Sequence, residues 1–422
     1  MPELSQRTLP FTDSVIRRMT RVSLRYGAVN LSQGFPDFDP PRPLLDRLAE
    51  TANENVHQYS VTWGAQNFRE ALAEKQSRRM GRKIDPDKEI VVTCGSTEAM
   101  MAAMLTVADP GDKVIVFSPF YENYGADTIL SGAEPIYVPL YPPEFHFDPS
   151  ELEAAFEQHP KALILCNPSN PCGKVFTREE LLLIAELAEK HDVFVITDEV
   201  YEHIVYEPCR HTYFASLPRM WERTISCSSL SKTYSVTGWR LGYILAPAPI
   251  ADAAKKVHDF LTVGAAAPLQ EAAVTALRFG DEYYRQLLDT YTHKRALFLK
   301  GLDDLRLPHT TPQGAYYVLL DISEFGYDSD LAFCEALARD VGVGAVPGSS
   351  FCPSSHPAAF RQKGRNAVRG PRPSLRPAAE AQVPKIRFVL YGEKTNPHGK
   401  RRADWFSFML PTDADMAGRD NR

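Results

Sequence analysis

The sequence predicts an α/β protein, with a large domain on a mostly parallel seven-stranded sheet and a smaller α+β domain after it. Two observations carry this. From about residue 89 to 247 short apolar runs alternate with longer amphipathic ones, the pattern of strands joined by crossover helices. The chain has 422 residues, 44% hydrophobic and 24% charged, which is ordinary globular composition with room for more than one core.

The strands are expected at EIVVTC (89–94), KVIVFS (113–118), PIYVPL (135–140), ALILCN (162–167), VFVITD (193–198), RTISCS (223–228) and LGYILA (241–246). Between two of them, Thr177-Arg178-Glu179-Glu180 has the hydroxyl and the carboxylate of a capping box ahead of LLLIAELAEKH. A long helical stretch (about 250–304) then leads into a strand AYYVLLDI (315–322), a helix near 329–341 and a short strand GVGAV (342–346). The expected division is residues 1–45 as a segment joining the small domain, 46–290 as the large domain, 291–360 as the small domain and 361–422 as an atypical basic tail.

Apolar runs such as ALIL (162–165) and VFVI (193–196) are far short of the roughly 20 residues that cross a bilayer, so no membrane span is expected. The segment MPELSQRTLPF lacks the basic and apolar regions of a secretory signal, which makes the cytoplasm the expected address. The seven cysteines form no CxxC pair, so neither a disulfide framework nor a thiolate metal site is expected. Net charge is −6, but residues 361–422 hold 14 Lys and Arg against 6 Asp and Glu. That basic tail lacks interleaved aromatics and any nucleic-acid-binding motif, and no nucleic-acid partner is expected.

In an open α/β sheet, ligands gather outside the carboxyl ends of the strands. Four such ends are informative. Gly95-Ser96-Thr97 opens a helix and suits a phosphate, though it also reads as a plain turn and cap. Pro168-Ser169-Asn170-Pro171 fixes a tight turn that can hold the Asn170 amide at the sheet edge. Asp198 closes an apolar strand, with Tyr201 three residues on, and a buried carboxylate there needs a partner. The most specific piece is Ser228-Ser229-Leu230-Ser231-Lys232-Thr233, a lysine in a hydroxyl-rich turn with Arg240 eight residues later.

Taken in order, these residues resemble the fold-type I, class I aminotransferases that use pyridoxal 5′-phosphate (PLP). The resemblance runs from about residue 11 to 360, through NLSQGFPDF (30–38), HQYSVTWG (57–64), TCGSTEAM (93–100), SPFYENYG (118–125), NPSNPCGK (167–174), ITDEVYEH (196–203), SLSKTYSVTGWRLGY (229–243) and VPGSSF (346–351). It is strongest toward kynurenine/glutamine aminotransferases, cysteine-conjugate β-lyases and bacterial aspartate aminotransferases. It implies that Lys232 carries the cofactor and moves the substrate proton. It implies also that Asp198 pairs with the ring nitrogen, that Asn170 and Tyr201 bond the ring oxygen, and that Tyr121 stacks on the ring. Gly95, Ser96, Thr97, Ser229 and Arg240 would hold the phosphate, with Tyr59 reaching it from a second subunit of a homodimer. Gly34 would approach the substrate carboxylate. The implied partners are an amino acid and a 2-oxo acid, 2-oxoglutarate foremost, and no metal is implied. Tyr121, Tyr124, Phe11 and Trp63 could line a pocket for aromatic or sulfur-containing donors, or could be packing.

One position departs from the family pattern. The arginine that would bind the substrate α-carboxylate bidentately has two candidates. Arg387 has the right local context, Lys385-Ile386-Arg387-Phe388, whereas Arg369 has the right spacing from Phe351 but is followed by Gly370-Pro371. Residues 392–422 show no helical period where the family has a terminal helix. Two alternatives therefore remain open: β-elimination from cysteine conjugates at the same lysine, and a PLP-binding protein whose turnover is impaired by its altered C-terminus.

Overall fold

The computed structural model describes residues 2–5, 9 and 13–353, so Phe11, Arg369, Arg387 and the whole of 361–422 lie outside the described residues. A seven-stranded sheet runs in the order β2 (Ile90–Thr93), β8 (Gly242–Leu245), β7 (Thr224–Ser229), β6 (Phe194–Asp198), β5 (Ala162–Cys166), β3 (Lys113–Ser118), β4 (Glu134–Pro139). Only β8 is antiparallel to its neighbours, and the other six strands point the same way.

The strands read as unbroken apolar runs because both faces are covered. In β3 the alternate residues Val114 and Val116 join a cluster with α4 (Ser96–Val107) and α8 (Ala248–Thr262), while Ile115 and Phe117 join α6 (Pro149–Phe156) and α7 (Arg178–Lys190) on the other face. The capping box is present at α7: Glu180 N–H donates to Thr177 Oγ1 (3.2 Å), and Thr177 N–H donates to Glu180 Oε2 (2.9 Å). The helical stretch from 250 to 304 is three helices, α8, α9 (Ala267–Leu277) and α10 (Asp281–Asp304). Val263 and Gly264, both at positive φ, and Pro268 divide the first two.

A separate apolar cluster joins Met19 of α1 (Val15–Tyr26) to Phe298 and Leu302 of α10 and to Phe333 and Leu337. Here β1 (Val29–Asn30) pairs in parallel with β9 (Val343–Gly344). Gly344 is required at this point, since a Cβ would sit 1.9 Å from Ser23 Oγ of α1.

The strand expected over 315–322 does not form among the described residues. Only the isolated bridges Val205–Gly314 and His309–Leu320 occur there. Ala315 has φ 55°, which ends any extended run at its start, and Tyr316 is buried against Tyr291 instead of alternating across a sheet.

Candidate active site

Because the strands other than β8 run the same way, their carboxyl ends share one edge, and the loops after β2, β3, β5, β6 and β7 open onto one cavity. It is lined by Ser96, Thr97, Tyr121, Asn170, Asp198, Tyr201, Ser229, Lys232, Arg240 and Gly34.

At one side stands the N-terminus of α4, capped by Gly95 at φ 82°. Two glycines make this corner possible. A Cβ on Gly95 would lie 2.3 Å from Arg240 Nη2, and one on Gly242 would lie 2.4 Å from the Gly95 carbonyl carbon. The Arg240 guanidinium therefore crosses the Gly95 backbone at the helix end, donating to Thr97 Oγ1 at 3.5 Å and to Thr237 O at 3.1 Å. Free N–H groups, a helix dipole and a guanidinium in one place form an anion cradle. Glu98, in the same first turn, is turned away and bonded to His258 Nδ1 at 2.5 Å.

On the cavity floor Asp198 is buried and accepts from Tyr124 Oη at 2.8 Å and from Val200 N–H at 3.3 Å. Burial pushes its pKa up to about 6, opposed by those hydrogen bonds and by the positive charge of Lys232. Lys232, half-buried in the turn after β7, donates from Nζ to Gly34 O at 2.6 Å. Burial pulls its pKa down to about 8, and repulsion from Arg240 adds to this while Asp198 opposes it. The lowered pKa enlarges the share of neutral amine near physiological pH, the form a nucleophile and proton acceptor needs.

Across the cavity Tyr317 Oη lies 2.7 Å from Tyr201 Oη and accepts from Asn170 Nδ2 at 3.5 Å. A Cβ on Gly34 would meet the same phenol oxygen at 2.5 Å. Asn170 Oδ1 is buried with no hydrogen-bond partner among the described residues. Tyr121, at the N-cap of α5 (Glu122–Ser131), is half-buried and meets the Tyr124 ring edge-on at 5.8 Å. Burial, then the charge of Glu122, pushes its pKa up to about 12.

The donor set fits PLP: an anion cradle for the phosphate, a buried carboxylate in no ion pair and an amide oxygen with no hydrogen-bond partner among the described residues, and an amine of lowered pKa. Tyr59 is not brought to the cavity of its own chain; it is 87% exposed. Sequence reasoning missed Tyr317, hidden in a segment read as a strand, and left Tyr124 open between donor pocket and packing; its hydroxyl is spent on Asp198. Trp63 packs on the core beside α4 with Lys255 over its ring, 5.2 Å from the centroid, and does not line the cavity. Among the described residues no group of His, Cys, Asp and Glu is placed to hold a metal ion, and no helix is long and apolar enough to cross a membrane.

The sequence profile of the family described as "Aminotransferase class I and II" matches residues 26–363. The chain is 38% identical to the methionine aminotransferase of Escherichia coli over 357 residues, covering 84% of this chain and 92% of that one. It is 34% identical to human kynurenine–oxoglutarate transaminase 1, covering 80% and 87%. The solved structure of N-succinyldiaminopimelate aminotransferase from Mycobacterium tuberculosis superposes with a TM-score of 0.81 at 36% identity, covering 84% and 93%.

Proposed function

The chain belongs to the class I and II aminotransferases, PLP-dependent enzymes that move an amino group from an amino acid to a 2-oxo acid, and from that premise we propose how its own residues perform the transfer. The observation that carries the reading is the convergence of the Lys232 amine, the Asp198 carboxylate and the Arg240–α4 cradle on one cavity.

When bound, PLP supplies an electron sink for the pair left at the substrate Cα when its proton departs. Ser96, Thr97, Ser229 and Arg240 hold the phosphate at the N-terminus of α4, with the Gly95 backbone beneath them. Asp198 holds the ring nitrogen in its protonated form, and Tyr124, donating to the carboxylate, fixes its orientation. Tyr201 and Asn170 would hydrogen-bond the ring oxygen, and Tyr121 would stack on the ring. Lys232 Nζ would take the proton from the substrate Cα, and would return one to that carbon when the incoming oxo acid is aminated.

We assign 2-oxoglutarate as acceptor, on the likeness to kynurenine–oxoglutarate transaminases, and neutral sulfur-containing or aromatic amino acids as donors, on the likeness to the methionine enzyme. The substrate α-carboxylate is assigned to Arg387 or Arg369, with Gly34 beside it. A homodimer is supported by the exposed apolar side chains Tyr59 (87%) and Phe260 (92%), with Val61, Leu261 and Val263 near them in sequence, and by a cradle to which Tyr59 of its own chain does not contribute. Seven free cysteines suit a reducing cytoplasm.

The test is turnover of methionine, phenylalanine, kynurenine and aspartate with 2-oxoglutarate, read as glutamate formed. Glutamate from at least one donor is expected; 2-oxo acid and ammonia released without an acceptor would overturn it. Arg387→Ala and Arg369→Ala then separate the two arginines: the binding one raises KM for every donor by some hundred-fold, given roughly 2–5 kcal/mol for losing half of a desolvated charge pair.

A further inference from the structure

One acid on the cavity wall has no role in this chemistry. Asp127 lies in the middle of α5, whose residues Asn123, Asp127 and Leu130 line the cavity at helical spacing. The residue is only 3% exposed, and its Oδ2 has no hydrogen-bond partner among the described residues. A buried carboxyl without a donor costs stability and calls for an explanation.

Among the described residues no cation forms an ion pair with it. Asp198 of β6 acts on it electrostatically, and Asp127 in turn acts on the Cys227 thiol of β7 and on the Tyr121 phenol at the cap of α5. Tyr124, one turn earlier, spends its hydroxyl on Asp198. From α4 come Thr97 and Met101, with Glu98 committed to His258, and from β4 comes Tyr137, stacked on Phe120. Lys232 pulls on Asp198 and is bonded to Gly34. Burial first, and the Asp198 charge second, push the Asp127 carboxyl well above the ordinary range. Asp127 and Asp198 are both buried and line the same cavity, and two such carboxyls without a cation cannot both ionise at modest cost, but with a cation beside them they can.

We propose that Asp127 is a positioning residue for the ring cation of the cofactor: it holds a proton beside Asp198 in the cofactor-free protein and releases it to solvent when that cation arrives. Only the Asp127 O–H bond breaks, and no electron transfer is involved. Loading is thereby linked to pH through a carboxyl pair. The inference rests on the reading that the ring cation faces Asp198.

The experiment titrates the cofactor-free full chain with PLP from about pH 6 to about pH 9, for wild type and Asp127→Asn, and takes the ratio of their Kd values at each pH. Contributions of Lys232 and Asp198 are common to both proteins and largely cancel in the ratio. The expected ratio is near one at the acid end and climbs with pH by up to about tenfold per unit while the linked proton is leaving, because only the wild type gains affinity by releasing it. Asp127→Ala should show the same climb. In difference infrared spectra at the acid end, a protonated-carboxyl band is expected in the cofactor-free wild type and is lost in both variants. A ratio constant with pH, no such band, or failure of both variants to fold would overturn the proposal. An Asp198→Asn protein that binds PLP as tightly as the wild type would instead overturn the premise, which keeps the two failures distinct.

Discussion

The cavity has a floor and a rim, and the two are built differently. On the floor every residue of β2, β5, β7 and β8 is buried, and the functional side chains sit within a few residues of a strand end whose position the ladder already fixes. The rim comes from the segment around Gly34 and from residues about 298–351, where β1 and β9 are two residues each and more members of the apolar cluster are partly buried than fully buried. Cofactor chemistry tolerates little displacement, and the residues we propose for it lie on the more buried part. Substrate selection must admit and release ligands, and Gly34, the proposed substrate contact among the described residues, lies on the lightly packed part.

The largest effect is expected on the floor. Lys232→Ala should lower turnover by at least about a thousand-fold, since it removes both the covalent anchor and the proton carrier, with circular dichroism unchanged. A variant that keeps turnover within tenfold would break the distinction outright.

Asp198→Asn comes next, with kcat/KM lowered by roughly 2–5 kcal/mol, the loss of one partner of a buried charge pair. Its pH signature is specific in the cofactor-free protein. The folded pKa is raised to about 6, so the native state retains a proton that the unfolded chain has given up. The stability conferred by the neutral acid is complete below the ordinary aspartate range and is lost as pH rises through about 6. Thermal unfolding against pH should show that loss in the wild type and not in Asp198→Asn.

The smallest effect belongs to the rim. Tyr317→Phe removes the hydroxyl that meets Tyr201 and, at longer range, Asn170, and should cost about 0.5–1.5 kcal/mol, some two- to tenfold in kcat/KM. A loss as large as that of Asp198→Asn would mean that floor and rim are one rigid unit. Tyr59→Ala sharpens the comparison from outside: PLP affinity should fall by about tenfold, and mixing it with Lys232→Ala chains should recover part of that loss only if the phenol acts across a dimer.

Much of the floor was legible in the sequence because its signals are local. An apolar run that ends in Asp198, a Gly-Ser-Thr opening a helix, and Lys232 eight residues before Arg240 each carry their meaning within a short window. What could not be read acts through distance. Tyr124 meets Asp198 across 74 residues, and Tyr317 meets Asn170 across 147, so neither pairing leaves a trace in local spacing. The Tyr316-Tyr317 pair read as a strand because aromatic and β-branched residues favour one, and what interrupts it is the positive φ of Ala315, whose N–H donates to Ile204 O across 111 residues. Asp127 leaves no mark in the sequence, since burial on the cavity side is a property of the fold.

The most direct test of the account is the absorption spectrum of the PLP-loaded protein before and after a mixture of amino acids is added without an oxo acid. The account predicts that the band of the bound cofactor shifts on adding amino acids and returns on adding 2-oxoglutarate. A band that stays unchanged with every donor would contradict it, leaving a cofactor site joined to no working substrate site.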